Sequence, residues 1–207
     1  MNFAWSATVL WLALATGCGV PKTAPTASTG VIATPAMPPP TAATVKLMTP
    51  GGELAGQAIL TVTPTGVEIE LTASGLKPGA HGFHIHMEGT CAPGPDATGK
   101  TIDFGAAGGH FDPGAAHKHG QPGNPANASH AGDLPNLTAD PAGKASARYL
   151  NTQVTLGPGP TSVIGRSLVV HADPDDYVTE PAGNSGARVL CGRIEPAQVN
   201  SIVGQAN

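Results

Sequence analysis

The sequence predicts an all-β fold, and three observations carry that prediction. Apolar and polar residues alternate with a period of two, most clearly in "GVEIEL", residues 66–71, where Val67, Ile69 and Leu71 share one face. Turn sequences such as "TPGGEL", "TPTG" and "DPAGK" separate the β-rich runs. No stretch has the capped 3.6-residue periodicity of an amphipathic helix. Short strands at this spacing are typical of an antiparallel sandwich or barrel.

The other predicted strands follow from the same pattern. "TVKLM" and "ILTVT" alternate near the start of the domain, and "SLVVH" and "RVLCGRI" are β-rich runs near its end. Two intervening segments, roughly residues 88 to 144 and 172 to 187, are predicted to be long loops. Loops of such length inside a compact domain usually serve a function.

Composition divides the chain into four regions. Glycine (28) and proline (21) are abundant, and much of the proline lies in residues 19–44, which have almost no charge and no apolar periodicity. That block is typical of an extended tether. We therefore expect a signal peptide at residues 1–17, a tether at 18–43, one folded domain at 44–197 and a tail at 198–207.

The first residues indicate export. The apolar run from Phe3 to Ala15 is too short to span a bilayer comfortably but suits a signal peptide. "LATGC" resembles a bacterial lipobox, so Cys18 is a candidate lipidated N-terminus and the only expected membrane attachment. An ordinary cleaved signal peptide stays open as the alternative, because no Lys or Arg precedes the run and Ala15 stands where Leu is usual. We expect the protein in the bacterial cell envelope, either in the periplasm or at the outer surface.

The charge of the chain excludes one class of binding partner. The net charge is −4 and no basic run is present, so a nucleic-acid partner is excluded.

The chain has three cysteines. If Cys18 carries lipid, Cys91 and Cys191 remain as a pair in an oxidising compartment. A bridge between them would close a long loop and stabilise the fold by up to about 4.7 kcal/mol.

Histidines are concentrated in "HGFHIHMEGTC", residues 81–91. Because side chains alternate faces along a strand, His84 and His86 share one face and can offer two nitrogens to one metal. His81 has the opposite parity and is expected to face inward. For an isolated His-x-His, the alternative explanation is that the two histidines occur together on the surface by chance.

A second group of candidate ligands lies in "GGHFDPGAAHKHGQPGNPANASHAGDLPNL". It contains His110, His117, His119 and His130, followed by Asp133. Three imidazoles and one carboxylate form a set suited to zinc, whereas solvated histidines in a flexible loop are the alternative. His171 ends "GRSLVVH" and is placed like a further ligand at a strand end.

Six motifs in order resemble the copper–zinc superoxide dismutases: "GFHIH", "GGHFDP", "KHG", "HAGDLP", "GRSLVVH" and "GNSGARVLCG". The resemblance covers residues 44 to 195, and "TCAPGPDATG" with the lipobox is most similar to the bacterial secreted branch. It implies an eight-stranded antiparallel Greek-key barrel, an immunoglobulin-like sandwich, with two long functional loops. The implied activity is dismutation of superoxide to dioxygen and hydrogen peroxide, protecting the cell envelope.

The resemblance also implies individual roles. His110 would bridge both metals, Asp175 would hydrogen-bond ligands of both, and Arg188 would attract superoxide. Cys91 and Cys191 would form the disulfide and His81 would be structural, while His117 has no counterpart and is expected to be exposed. The implied ligands are, for copper, His84, His86, His110 and His171, and, for zinc, His110, His119, His130 and Asp133.

Two other functions compete with the enzyme. A copper-delivery or metal-buffering domain of the same fold would lack copper ligands or the arginine, and an adhesive module would need no copper set. The second loop also carries Asp173, Asp175, Asp176 and Glu180 and no Lys before Arg188. Wider attraction of an anion would then depend on other cations, for which Lys100, Lys118 and Arg166 are candidates. Both a monomer and a homodimer are compatible with the sequence.

Overall fold

A computed structural model describes residues 38–197, which form an all-β domain. Its elements are β1 (Ala42–Met48), β2 (Leu54–Thr63), β3 (Gly66–Ala73), β4 (Gly79–His81), β5 (Phe83–His86), β6 (Gly94–Pro95), β7 (Thr101–Ile102), a 3-10 turn (Gly105–Ala107), β8 (Leu137–Ala139), β9 (Ala145–Asn151), β10 (Ser167–His171), β11 (Arg188–Arg193) and β12 (Glu195–Pro196). The predicted signal peptide, Cys18, most of the tether and the tail lie outside the described residues. Within residues 38–197, no helix is long and apolar enough to cross a membrane.

The strands form a nearly closed antiparallel barrel. Their order in the sheet is β4-β8-β9-β3-β2-β1-β11-β10-β5, so its two edges are β4 and β5, which are consecutive in the chain. Only Gly82 separates these two strands, and counted together they make the eighth strand of the predicted barrel. The connections from β3 to β4 and from β9 to β10 skip neighbouring strands, as in a Greek key.

The barrel interior is filled by the apolar face of each strand. Val67, Ile69 and Leu71 of β3 are buried as their alternation predicts. They meet inward-facing residues of β1, β2 and β10, including Leu47, Leu60 and Val170, in one continuous cluster. Burial of a side chain of this size stabilises the fold by about 1.5–3 kcal/mol, and the cluster includes Phe111 and Leu134 of the first long loop.

Three barrel strands were not predicted. β4 lies inside a sequence that signals turns, and β8 consists of only three residues. β9 does alternate between buried and exposed positions, but its inward residues include Ala145 and Ala147, whose small side chains give a weak hydrophobic signal. The expected first loop, residues 88 to 144, therefore contains β8 and the small β6–β7 hairpin.

Gly82 is the point where the chain passes from one edge of the sheet to the other. A Cβ there would lie 2.6 Å from Cβ of Ser185, so only glycine fits this close approach. The strand does not run through this residue, and the parity argument for His81 does not extend across it. His81 is nevertheless buried, and its ring nitrogens lie 2.7 Å from the carbonyl oxygen of His171 and 2.8 Å from that of Lys77.

A disulfide joins the first long loop to the barrel. Cys91 lies at the start of that loop and Cys191 in the buried part of β11, and their sulfurs are bonded. The bridge packs against Phe104, Ala107 and Val169 in a second, smaller apolar cluster. The loop between Cys91 and the 3-10 turn is thus fixed beside β11.

Candidate metal centre

Strands β5 and β10 and the loop between β7 and β8 bring the candidate ligands together. β10 pairs with β5 so that Ser167 lies opposite His86 and Val169 opposite His84, which places His171, at the end of β10, beside the β5 pair. The loop contributes the rest. Two sets of four ligand atoms result, with the atoms of each set within 4.8 Å of one another: His84, His86, His110 and His171, called here the four-histidine cluster, and His110, His119, His130 and Asp133, called the Asp133 cluster.

Hydrogen bonds orient three of the four rings of the four-histidine cluster. Nδ1–H of His86 donates to the carbonyl of Gly108 at 2.9 Å, and Nδ1–H of His171 to that of Gly186 at 3.3 Å. Nε2–H of His84 donates to a carboxylate oxygen of Asp175 at 2.7 Å. Because one nitrogen of each of these rings is engaged as a donor, the other nitrogen keeps a lone pair directed at the centre of the cluster.

The inward nitrogens fit a metal ion better than they fit one another. Nε2 of His86 and Nε2 of His171 lie 3.3 Å apart, although both are acceptors in these tautomers. Nδ1 of His84 and Nε2 of His110 are buried without any hydrogen-bond partner. Buried polar atoms are nearly always paired. Four converging imidazole nitrogens are a typical set for copper.

In the Asp133 cluster, three rings converge on one carboxylate. Oδ1 of Asp133 lies 2.8, 3.1 and 3.2 Å from the Nδ1 atoms of His110, His119 and His130. Its Oδ2 accepts hydrogen bonds from the backbone N–H groups of Gly120 and His130 at 3.1 and 3.0 Å. Three imidazole nitrogens and one carboxylate oxygen match a tetrahedral zinc site. His110 belongs to both clusters, with Nδ1 in one and Nε2 in the other.

Asp175 connects the two clusters from the side opposite His110. Its Oδ2 accepts the hydrogen bond from His84, and its Oδ1 accepts one from Nε2–H of His119 at 2.8 Å. Asn136 holds the main chain of Asp175 in place: its amide donates to the Asp175 carbonyl at 2.9 Å and accepts from the Asp175 N–H at 2.8 Å. The hydroxyl of Tyr177 accepts from the Asn136 N–H.

Burial sets the protonation of the four-histidine cluster. It lowers the pKa of His84, His86 and His110, and the positive charge of neighbouring histidines lowers those of His84 and His86 further. The same two causes lower the pKa of His171 to about 3. These rings are therefore neutral at neutral pH and have lone pairs available for a metal.

The carboxylates reverse this effect at His119. Burial alone would lower the pKa of His119, but the hydrogen bonds and charges of Asp133 and Asp175 outweigh it and raise the pKa to about 10. Burial likewise disfavours the Asp133 carboxylate, yet its three histidine partners hold the pKa of Asp133 well below its usual range. Asp133 is consequently ionised, as a metal ligand must be.

Arg188 lies at the start of β11 beside the four-histidine cluster. Its guanidinium donates to the carbonyl oxygens of Phe104 and Gly108, each at 2.7 Å. It lines a cavity of about 660 Å³ together with His110 and His171. The cavity is the open approach to the cluster, and the two carbonyls fix a positive charge at its edge.

The expected charges around this approach are arranged differently in the structure. Asp175 is buried, Glu180 accepts from the backbone N–H of His119 at 2.8 Å, and neither lines the cavity. The candidate cations do not line it either: Arg166 stacks on the Phe111 ring, and Lys100 and Lys118 are absent from the lining. Of the lysines and arginines in residues 38–197, only Arg188 lines the approach.

Each expected metal ligand has a defined place. The seven expected ligands lie in the two clusters, and Asp175 contacts both. His117 belongs to neither cluster, and its side chain is 85% exposed. Sequence reasoning missed Asn136, Tyr177 and the carbonyl of Gly108. No pattern in a single sequence indicates that a backbone carbonyl or a remote amide orients a ligand.

Comparisons with known proteins identify the family of the chain. The family model described as copper/zinc superoxide dismutase matches residues 54–194. The superoxide dismutase [Cu-Zn] of Deinococcus radiodurans is 50% identical over 141 residues, which cover 68% of this chain and 77% of that protein. One of two such proteins of Aquifex aeolicus is 42% identical over 156 residues, covering 72% of this chain and 84% of that protein.

Solved structures show the same fold. The Cu/Zn superoxide dismutase from Brucella abortus has a TM-score of 0.65 and 38% identity, covering 74% of this chain and 99% of that one. A SOD-like protein from Bacillus subtilis has a TM-score of 0.62 and 34% identity, covering 72% and 96%. The chain belongs to the copper/zinc superoxide dismutase family, whose activity is the dismutation of superoxide with copper and zinc as cofactors.

Proposed function

We propose that the four-histidine cluster holds the copper at which superoxide is dismutated, and that the Asp133 cluster holds the zinc. One observation carries this assignment: four inward imidazole nitrogens converge in the first cluster, two of them buried without a partner. Copper bound there would supply the one-electron redox chemistry by which two superoxide anions and two protons become dioxygen and hydrogen peroxide. Zinc has no redox chemistry and would order the loop.

The chain's own residues bind, orient and supply protons. His110 joins the two clusters through its two nitrogens, and its Nε2 is the atom placed to carry a proton towards the reduced substrate. Arg188 supplies a fixed positive charge for the anion, since two backbone carbonyls prevent it from turning away. Asp175 binds Nε2 of both His84 and His119, so the Nδ1 atom of each ring faces its cluster and would be the metal-binding atom.

The assignment is tested on the full chain with one substitution in the cluster and one outside it. His171→Gln removes an imidazole from the four-histidine cluster but leaves the Asp133 cluster complete. It should abolish superoxide consumption. Elemental analysis should show less copper than in the unmodified protein and the same amount of zinc. His117→Gln changes the exposed histidine and should retain activity and both metals. Full copper and zinc occupancy of the unmodified chain without dismutation would indicate a metal-delivery or structural protein instead.

We further propose that the protein is exported, carries lipid on Cys18 and protects the bacterial cell envelope from superoxide. The signal-peptide pattern and the "LATGC" sequence support export. The disulfide between Cys91 and Cys191 supports an oxidising compartment. In expressing cells, the protein should incorporate radiolabelled fatty acid. Cys18→Ser should eliminate this label and release the protein from the membrane fraction. Incorporation of label into the variant would disprove lipidation of Cys18.

We propose that a single chain is sufficient for function, either as a monomer or as each half of a homodimer. All seven residues of the two clusters, together with Asp175 and Arg188, come from one chain. Analytical ultracentrifugation over a dilution series, with activity measured at each concentration, tests this. Activity per chain should stay constant on dilution, and a loss that tracks dissociation would show that a second chain is required.

A further inference from the structure

We propose that Asp96 limits the rate at which anions reach the copper, by opposing the positive charge of Arg188 at the mouth of the cavity. The inference rests on the copper assignment of the four-histidine cluster and extends it to a residue outside both clusters. It concerns the rate and affinity of anion approach and leaves the chemistry at the metal unchanged.

Few charged side chains line the cavity, and negative ones outnumber positive ones, which is unfavourable for an anion. Among the described residues, the Asp, Glu, Lys and Arg side chains in the lining are Asp96, Asp112 and Arg188. Asp112 is nearly buried, and its two oxygens accept hydrogen bonds from the backbone N–H groups of Ala116 and His117 at 3.1 and 2.9 Å. Asp96 is the more exposed carboxylate, so its negative charge repels an approaching anion more strongly than that of Asp112.

A tight turn holds the Asp96 side chain in position. Asp96 lies between β6 and β7, and its Oδ1 accepts from the N–H and hydroxyl of Thr98 at 2.8 and 2.7 Å and from the N–H of Lys100 at 3.0 Å. The hydrogen bonds from Thr98 lower the pKa of Asp96. The carboxylate is thus charged at neutral pH and cannot swing far from the cavity.

The loop that carries Asp96 also positions Arg188. The carbonyls of Phe104 and Gly108, which hold the guanidinium, belong to the same loop, and Cys91 ties that loop to β11 through the disulfide. Burial lowers the pKa of Arg188, and the Asp96 carboxylate partly offsets that effect. The two opposite charges therefore keep a constant spacing, and an arriving anion meets the fields of both.

The size of the effect follows from Coulomb's law. A unit charge about 10 Å from an anion in water changes its local concentration about twofold. Asp96→Asn removes one unit of negative charge and keeps an oxygen that can accept from Thr98 and Lys100. It should raise the second-order rate of superoxide consumption about twofold, and Asp96→Lys, which reverses the charge, should raise it about fourfold.

The chain provides a matched control at Asp140. Asp140 occupies an equivalent turn between β8 and β9: its Oδ1 accepts from the N–H groups of Ala142 and Lys144 at 2.8 and 2.9 Å. Like Asp96, which bonds through its backbone N–H to the Lys100 carbonyl, Asp140 bonds to the Lys144 carbonyl at 2.8 Å. Asp140 does not line the cavity. Asp140→Asn changes the net charge by the same amount and should leave the rate unchanged.

Two measurements on the copper- and zinc-loaded full chain test the proposal. The first is superoxide consumption at low salt and at about 0.5 M sodium chloride, where screening should remove most of the gain. The second is the equilibrium affinity for azide, a monovalent anion, followed by the visible spectrum of the copper. Azide affinity should also rise about twofold in Asp96→Asn, because the same charge acts on any anion.

The outcomes separate this proposal from the proposed function. An active unmodified protein in which Asp96→Asn matches Asp140→Asn in rate and azide affinity, with equal metal content, would overturn the role of Asp96 alone. If the unmodified protein, fully loaded with copper and zinc, showed no dismutation, the copper assignment would be overturned instead. A gain in Asp96→Asn that persists at high salt would also contradict the proposal, because screening must reduce an effect of charge.

Discussion

His86 and Arg188 bind the same acceptor, the carbonyl oxygen of Gly108. Nδ1 of His86 lies 2.9 Å from it and Nη2 of Arg188 lies 2.7 Å from it. One backbone group thus orients a proposed copper ligand and the guanidinium that lines the cavity. The chain reaches this position through the 3-10 turn that ends at Ala107, beside the disulfide-linked loop. Displacement of that loop would move both side chains together.

Replacement of Arg188 should reduce the rate without removing metal. Arg188→Gln eliminates the positive charge at the cavity, and we expect superoxide consumption to fall about tenfold or more. Arg188→Lys keeps the charge but cannot donate to both carbonyls in one fixed geometry. Its rate should therefore lie between those of the unmodified protein and Arg188→Gln. Stopped-flow kinetics with copper and zinc quantified in each variant checks this. Equal rates in the lysine and glutamine variants would show that charge is not the relevant property.

The part of the fold that follows from the sequence is the part encoded by side-chain patterns. The alternation in β3 predicted buried strands, and the resemblance carried by the ordered motifs implied a shared site. The closure at Gly82 could not be predicted, because it depends on the fit between the Gly82 backbone and Ser185, which are distant in sequence. The pairing of Asn136 with the Asp175 main chain is equally invisible, since an amide can bond to any backbone in reach.

Asp175 should control the affinity for both metals. Asp175→Asn keeps the shape of the side chain but cannot accept hydrogen bonds on both of its ends, so either His84 or His119 loses its partner. We expect copper and zinc affinity to fall by about 10- to 100-fold. Competition with a chelator, monitored for each metal, measures this. Asp140→Asn, in an exposed turn, serves as the control, and unchanged affinity for both metals in Asp175→Asn would contradict the bridging role.

The disulfide should contribute to both stability and rate. Replacing Cys91 and Cys191 by alanine should lower the free energy of unfolding by about 2–5 kcal/mol. The rate should also decrease, because the loop that supplies the Phe104 and Gly108 carbonyls would no longer be held beside Arg188. Denaturant unfolding and stopped-flow kinetics at equal metal content measure the two effects. Cys18→Ser should change neither, and a destabilised double variant with a normal rate would show that Arg188 is held without the bridge.

The stability of the metal-free protein should decrease as the pH falls below about 6.5. Burial, followed by the charge of His110, lowers the pKa of His171 to about 3, so the folded state leaves this ring unprotonated while the unfolded chain takes up a proton. The unfolded state then binds more protons, and stability increases with pH through this window, by up to about 1.4 kcal/mol per pH unit for each such histidine. His84 and His86 act in the same direction.

His119 opposes this slope only above about pH 6.5. Its pKa is raised to about 10, so below about pH 6.5 its ring is protonated in both states, whereas between these two values only the folded state keeps the proton and stability is lost as the pH rises. Thermal unfolding of chelator-treated protein between about pH 5 and 6, where His119 adds little, measures the slope. His171→Gln should make it shallower by one proton, whereas His117→Gln, which alters an exposed side chain, should not. A midpoint independent of pH in this range would show that the buried histidines are protonated in the folded state.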